Sequence, residues 1–371
     1  MLKSSLKYIL SAAIAGFFFW LAFKDFTAAQ FDELLQTLRG VNYWWIAATF
    51  AVLMLSNVIR AWRWGMLLST VKARISLKNL FNATMIGYAV NQVLPRVGEV
   101  TKIFNLAKRE QIDGKKVIAS VVIERILDLL TFAGVLAASA FLFRQKLNEA
   151  FEEAFGEIWL FRFNLGGFES EGIRVTIEYA AYVMLFASML LLVMFALLSL
   201  FPEQVSRMAE RIVRRFSEKA ARWLAEALKA FVEGAAALRN PAKYAEIIGS
   251  SLAIWVCYIF GTLLPFYAMN IDVKYGLGLL EAMTTMSISA FGQLITPAGA
   301  GTYQYACTKA LEKIFDVSLV DASSFALLTF SVQLLTFGLA GLACYIWQSR
   351  EGITPAQTLK AAPPVQPDLS A

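Results

Sequence analysis

The chemistry this sequence offers rests on a few charged residues inside apolar surroundings. Arg96 follows Pro95 and precedes Gly98 and Glu99, at the end of an apolar run from Leu80 to Leu94. An arginine at membrane depth costs a few kcal/mol or more unless it is paired, and such residues are functional by default. Its guanidinium is a planar fork that matches phosphate. Glu99 stands in reach of Arg96 when no substrate is bound; equally, the two form a buried pair that only holds the chain shut. Further on come Glu124, Arg125 and Asp128. Residues 124 and 128 share a helix face at i, i+4 spacing, with Arg125 on the adjacent face. The chemistry is anion capture: Arg96 and Arg125 receive one phosphate, and the carboxylates serve as switching counter-ions. The plainer alternative is a satisfied salt-bridge cluster at the cytoplasmic end of a span. For Arg60 and Arg63, anchoring a helix at the interface is preferred over steering headgroups.

A second, uncharged set lies in Gly292-Gln293-Leu294-Ile295-Thr296-Pro297-Ala298-Gly299-Ala300-Gly301. Gln293, Thr296 and Gln304 supply neutral hydrogen-bonding groups, as Asn91 and Gln92 do in the first stretch. A helix starting near Gly301 aims free N–H groups inward, a weak anion site. Close helix packing explains the glycines equally well.

Histidine is absent from the 371 residues, so no Ser-His-Asp triad, His-ligated zinc or imidazole relay exists. Cys257, Cys307 and Cys344 lie far apart in apolar runs and read as small buried residues. No metal, cofactor or catalytic residue is expected.

The elements that position these groups follow from composition. The chain is 58% hydrophobic and 17% charged, with a mean hydropathy of +0.57. That is a polytopic membrane protein. The net charge of +6 reports cytoplasmic loops, not a nucleic-acid partner. A spanning helix needs about 20 apolar residues, which places spans at 8–23, 41–59, 117–143, 175–201, 245–269 and 323–347. The first is read as an uncleaved span, although Thr27-Ala28-Ala29 loosely resembles a signal-peptide cleavage site. Residues 24–40 read as a loop. Arg60, Arg63, Lys72, Arg74 and Lys78, with no acidic residue among them, mark a cytoplasmic loop and put both termini inside.

Two segments are broken. Pro95 and Gly98 break 80–107; Pro297, Gly299 and Gly301 break 276–314. Broken backbone at membrane depth is tolerated where it is buried or lines a wet cavity. Two such breaks in corresponding halves point to a transport site. The fold class expected is all-α, with six transmembrane helices and two opposed re-entrant hairpins in an inverted repeat. The domains are a first membrane repeat, 1–143; an external amphipathic loop, 144–174; a second repeat, 175–350, with a cytoplasmic amphipathic segment at 202–243; and a disordered tail, 351–371. The basic residues of 202–243 bind anionic lipid or simply solvate a helix pair.

Asn91-Gln92-x-Leu94-Pro95-Arg96-x-Gly98-Glu99, Glu124-Arg125-x-x-Asp128 and Pro297-Ala298-Gly299-Ala300-Gly301 resemble the flippase-like, lysylphosphatidylglycerol synthase transmembrane-region family, over about residues 1 to 350. The resemblance implies a lipid translocator of the inner membrane. Its substrate is an anionic phospholipid or a polyprenyl-phosphate-linked glycan. The resemblance carries over Arg96, Glu99, Glu124, Arg125 and Asp128 as site residues. It departs at Gln304, where that family usually has glutamate, and at Gly299-Ala300 in place of Gly-Gly. No synthase domain is expected, so the chain is not expected to charge a lipid itself. The alternatives are a glycosyl- or acyl-transferase on a lipid carrier, or a non-transporting partner of a lipid synthase. A homo-oligomer or a lipid-synthesis enzyme as partner is left open.

Overall fold

The computed structural model describes residues 2–94, 97–155, 202–214 and 243–351, with 182–190 and short pieces between 159 and 218. Helices dominate it. Tyr43–Leu67, Tyr244–Met269 and Leu319–Arg350 are long and apolar enough to cross a membrane. They coincide with three of the six expected spans.

The N-terminal helix α1 is Leu2–Phe23, and α2 is Ala28–Arg39. The second was expected to be loop. Thr27 caps it: its Oγ1 accepts from Gln30 N–H at 3.3 Å, and Gln30 Oε1 accepts from Thr27 N–H at 2.9 Å. This is a capping box, in which each side-chain oxygen accepts from the other residue's otherwise orphaned backbone N–H. The residues that resembled a cleavage site are thus the start of a helix.

Helix α3, Tyr43–Leu67, runs past the expected end at residue 59. It is followed by a packed pair, α4 (Leu77–Val93) and α5 (Val97–Glu110), and then by α6, Gly114–Leu142. After α7 (Arg144–Phe155) come two small antiparallel ribbons, Trp159–Leu160 with Ile173–Arg174 and Phe163–Leu165 with Phe168–Ser170. These ribbons are the one departure from an all-helical chain among the described residues. The expected span 175–201 lies mostly outside those residues, although 182–190 are helical.

Helix α8 is Pro202–Arg214, a small part of the expected 202–243 segment, most of which lies outside the described residues. Next come α9 (Tyr244–Met269), the short α10 (Ile271–Tyr275), α11 (Leu279–Ile295), a single 3-10 turn at Pro297–Gly299, α12 (Thr302–Phe315) and α13 (Leu319–Arg350).

An order of elements recurs. A long helix (α3, 25 residues) precedes a pair of 17 and 14 residues (α4, α5) and a second long helix (α6, 29 residues). Then a long helix (α9, 26 residues) precedes another pair of 17 and 14 (α11, α12) and a last long helix (α13, 32 residues).

By contacts the chain forms two compact units. One holds residues 1–52, 129–190 and 258–332. Its core packs the second pair against α9, α10 and α13, through Phe266, Ile271, Tyr303, Leu311, Phe325 and neighbours. The other unit holds 53–128, 191–257 and 333–371. There the first pair packs on α3 and α6 through Ala61, Trp64, Leu80, Leu106, Val117 and Val121. Each pair is therefore seated between the helix before it and a helix after it.

Both pairs are closed by glycine. A Cβ on Gly98 would lie 1.9 Å from the Gly87 carbonyl oxygen, and one on Gly292 would lie 2.5 Å from that of Thr302. The arms meet backbone to backbone, which any side chain larger than hydrogen prevents.

Candidate functional site

In the unit that contains the first hairpin, three helices deliver seven charged side chains to one place. Arg60 and Arg63 lie on α3 at i, i+3 spacing and share a face. Glu99 and Lys102 lie on α5. Glu124, Arg125 and Asp128 lie on α6. The Glu124 carboxylate bridges two cations: Oε1 accepts from Arg60 Nη1 at 2.9 Å and Oε2 from Lys102 Nζ at 2.7 Å. Asp128 does the same for Arg60 and Arg63, with both contacts at 2.6 Å. Arg63 Nη1 also donates to Ser251 Oγ at 2.8 Å. Lys102 Nζ sits 4.2 Å from the centre of the Trp64 ring, whose own N–H donates to Ser120 at 2.9 Å.

Burial sorts the cluster into an inside and an edge. The side chains of Arg60, Arg63, Lys102 and Glu124 are at most 4% exposed. Arg125 and Glu99 are 43% and 32% exposed and pair with each other, Nη2 to Oε1, at 2.6 Å. Taking charges out of water costs several kcal/mol per ion, roughly, unless each is paired and hydrogen-bonded. Here every buried member has an opposite partner. Among the described residues, four cations (Arg60, Arg63, Lys102, Arg125) face three carboxylates (Glu99, Glu124, Asp128). The surplus is positive, and the cation at the open edge is Arg125.

Sequence reasoning thus named Glu99, Glu124, Arg125 and Asp128, and the structure brings them together. It also corrects the preferred reading of Arg60 and Arg63, which do not anchor a helix at an interface: they lie inside α3 and are almost fully buried. Lys102 was missed. Its signal was a lone lysine within Val100-Thr101-Lys102-Ile103-Phe104, in a segment already suspected of lying at membrane depth. Pro95 and Arg96 lie outside the described residues.

Asn91 and Gln92 hold the first hairpin in place. Asn91 Oδ1 accepts from Gly98 N–H at 2.8 Å, serving as a remote cap for α5. Gln92 Nε2 donates to the Leu334 carbonyl of α13 at 3.2 Å.

The second hairpin, described by itself, is neutral at its tip. Thr296 Oγ1 donates to the Ala300 carbonyl at 2.8 Å and lies 2.7 Å from Thr302 Oγ1. Gln304 Oε1 accepts from Gly301 N–H at 2.7 Å, and its Nε2 is buried without a hydrogen-bond partner among the described residues. The turn needs left-handed backbone at Ala298 (φ 53), Gly299 (φ 79) and Gly301 (φ 79). A Cβ on Gly301 would lie 2.3 Å from the Ala15 carbonyl of α1. Gln293 lies beside the turn, its Cα 3.0 Å from where a Cβ on Gly299 would be. Thr296 and Gln304 therefore shape the tip.

The family model for the lysylphosphatidylglycerol synthase TM region matches residues 8–341. A UPF0104 membrane protein of Methanocaldococcus jannaschii is 26% identical over 135 residues, which cover 36% of this chain and 40% of that protein. Glycosyltransferase AglD of Haloferax volcanii is 22% identical over 312 residues, covering 81% of this chain and 48% of the relative. The match thus spans less than half the length of each of these relatives. No solved structure matches significantly.

Proposed function

The chain belongs to the lysylphosphatidylglycerol synthase TM region family, and from that premise we propose that it moves an anionic lipid, either a phospholipid or a polyprenyl-phosphate-linked glycan, between bilayer leaflets. The observation that carries this reading is the cationic surplus of a buried cluster whose edge is Arg125. Phosphate is held there by Arg125 together with Arg96, while acyl tails stay in the bilayer. Arg60, Arg63 and Lys102 do not touch the lipid. They fix Glu124 and Asp128 and so set the positive field around Arg125.

The membrane arrangement belongs to the same proposal. Six spans carry two re-entrant hairpins; the first enters from the cytoplasm and the second from outside, with both termini cytoplasmic. The recurrence of 17- and 14-residue arms supports a repeat. The basic loop around Lys72, Arg74 and Lys78 supports the orientation.

The test is reconstitution of the full chain in liposomes with headgroup-labelled phosphatidylglycerol and a leaflet-accessibility readout. Arg125→Ala and Arg96→Ala are expected to slow transfer by about tenfold or more, the loss of a charge-assisted contact. Rates equal to wild type in both would remove the site.

A second reading is a glycosyltransferase acting on a lipid carrier, favoured by the name of the Haloferax relative. Sugar transfer from a nucleotide sugar to a polyprenyl phosphate by the purified chain would establish it.

A further inference from the structure

The two hairpins carry the same kind of side chain at the same place. The third residue of α5 is Glu99, and the third residue of α12 is Gln304. A glutamate or glutamine there ordinarily reaches back to the backbone N–H just before its helix. Gln304 does so, at 2.7 Å from the Gly301 nitrogen, and is 1% exposed. Glu99 does not. Its Oε1 pairs with Arg125 at 2.6 Å, and its Oε2 is buried with no hydrogen-bond partner among the described residues. Asn91 Oδ1 accepts from the N–H of Gly98, the second residue of α5, at 2.8 Å. A carboxylate held by one oxygen, with the other unserved, is poorly satisfied where it stands.

We propose that Glu99 is an exchangeable counter-ion. The phosphate of a lipid headgroup displaces it from Arg125, and the freed carboxylate, 32% exposed already, turns out at the open edge of the cluster. This rests on the reading of Arg125 as the phosphate-binding group.

Two physical reasons support the exchange. A guanidinium fork receives carboxylate and phosphate through the same pair of N–H groups, so the two anions compete for one place. Arg125 is also the accessible cation of the cluster, 43% exposed against 4% or less for Arg60, Arg63 and Lys102. Between cargoes the resident carboxylate adds to Asp128, 3.7 Å from Arg125 Nη1, in compensating the arginine, and an under-compensated arginine is costly at membrane depth. The same carboxylate hastens release, which a carrier needs as much as capture.

The experiment titrates dioctanoyl phosphatidylglycerol onto the purified full chain in zwitterionic detergent and reads the dissociation constant by native mass spectrometry. Glu99→Gln removes the competitor and is expected to tighten binding several-fold. Arg125→Gln is expected to weaken it by about tenfold or more. If Arg125→Gln binds as wild type, the site and the exchange both fall. If Arg125→Gln is weak while Glu99→Gln is unchanged or weaker, the exchange alone is overturned. Should Arg125→Gln not fold, Arg125→Lys keeps the charge without the fork and is expected to bind more weakly than wild type; equal binding overturns the proposal. A parallel titration with glycerol 3-phosphate separates a lipid headgroup from a free phosphate ester. Equal tightening there by Glu99→Gln would overturn the lipid assignment.

Discussion

Arg63 and Asp128 meet at 2.6 Å, Nη2 to Oδ1, with the arginine side chain wholly shielded from solvent. Asp128 also takes Arg60 at 2.6 Å, so one aspartate compensates two buried arginines. Asp128→Asn leaves Arg63 with Glu124 at 4.0 Å as its nearest carboxylate, while Arg60 keeps Glu124 at 2.9 Å. We expect a loss of about 3–5 kcal/mol, the range for breaking a buried pair from one side. Unfolding in a mixed-micelle denaturant series measures it, and a loss under about 1 kcal/mol would contradict the burial described.

Lys102 and Glu124 form a second such pair, but Glu124 retains Arg60 when the lysine is lost. Lys102→Met and Glu124→Gln should each destabilise, while the double variant should cost less than the two together by about 1 kcal/mol or more. Strict additivity in a double-mutant cycle would show that the pair is not coupled.

The glycine contacts give a test that is independent of charge. Gly98→Ala and Gly292→Ala each push a methyl group into a backbone carbonyl. We expect each to lose about 3 kcal/mol, the upper end for overpacking. Gly134, inside α6, has nothing within 4 Å of its would-be Cβ. Gly134→Ala should be neutral, or raise Tm through helix propensity. The same melting assay reads all three variants.

A pH dependence follows from Glu110, at the end of α5. Burial raises its carboxyl pKa, but hydrogen bonds from Lys72 and Asn79 outweigh it and hold the group below the usual carboxylate range. The lowered folded value means that the stabilisation is complete above the ordinary carboxylate range. It is lost as pH falls through the folded value. Glu110→Gln should therefore destabilise the chain at neutral pH, and its difference from wild type should shrink toward acid pH. A difference that grows on acidification would reverse the assigned sign.

Much of this was legible because breaks and charges leave strong marks on an apolar chain. Pro95 with Gly98, and Pro297 with Gly299, marked the breaks between α4 and α5 and between α11 and α12. Glu124, Arg125 and Asp128 declared themselves by being charged within an apolar helix. Arg60 and Arg63 were misjudged because they sit where apolarity gives out, and composition alone cannot tell a helix that ends at its charges from one that buries them. What decides is the partner, and Asp128 lies 65 residues from Arg63 in sequence. Lys102 escaped for the same reason, since its partners Glu124 and Trp64 come from two other helices. Helix α2 was overlooked although its signal was plain: Thr27-x-x-Gln30 is a capping box. The matching arm lengths were not legible, because helix ends are set by caps such as Asn91 that act from seven residues away.

The touching backbones at Gly87 and Gly98, and at Gly292 and Thr302, constrain how such a molecule can work. Arms in contact carbonyl against α-carbon leave no room between them for a headgroup. Each hairpin is a stiff blade. On the proposed function, a headgroup passes along the flank of such a blade, not between its arms.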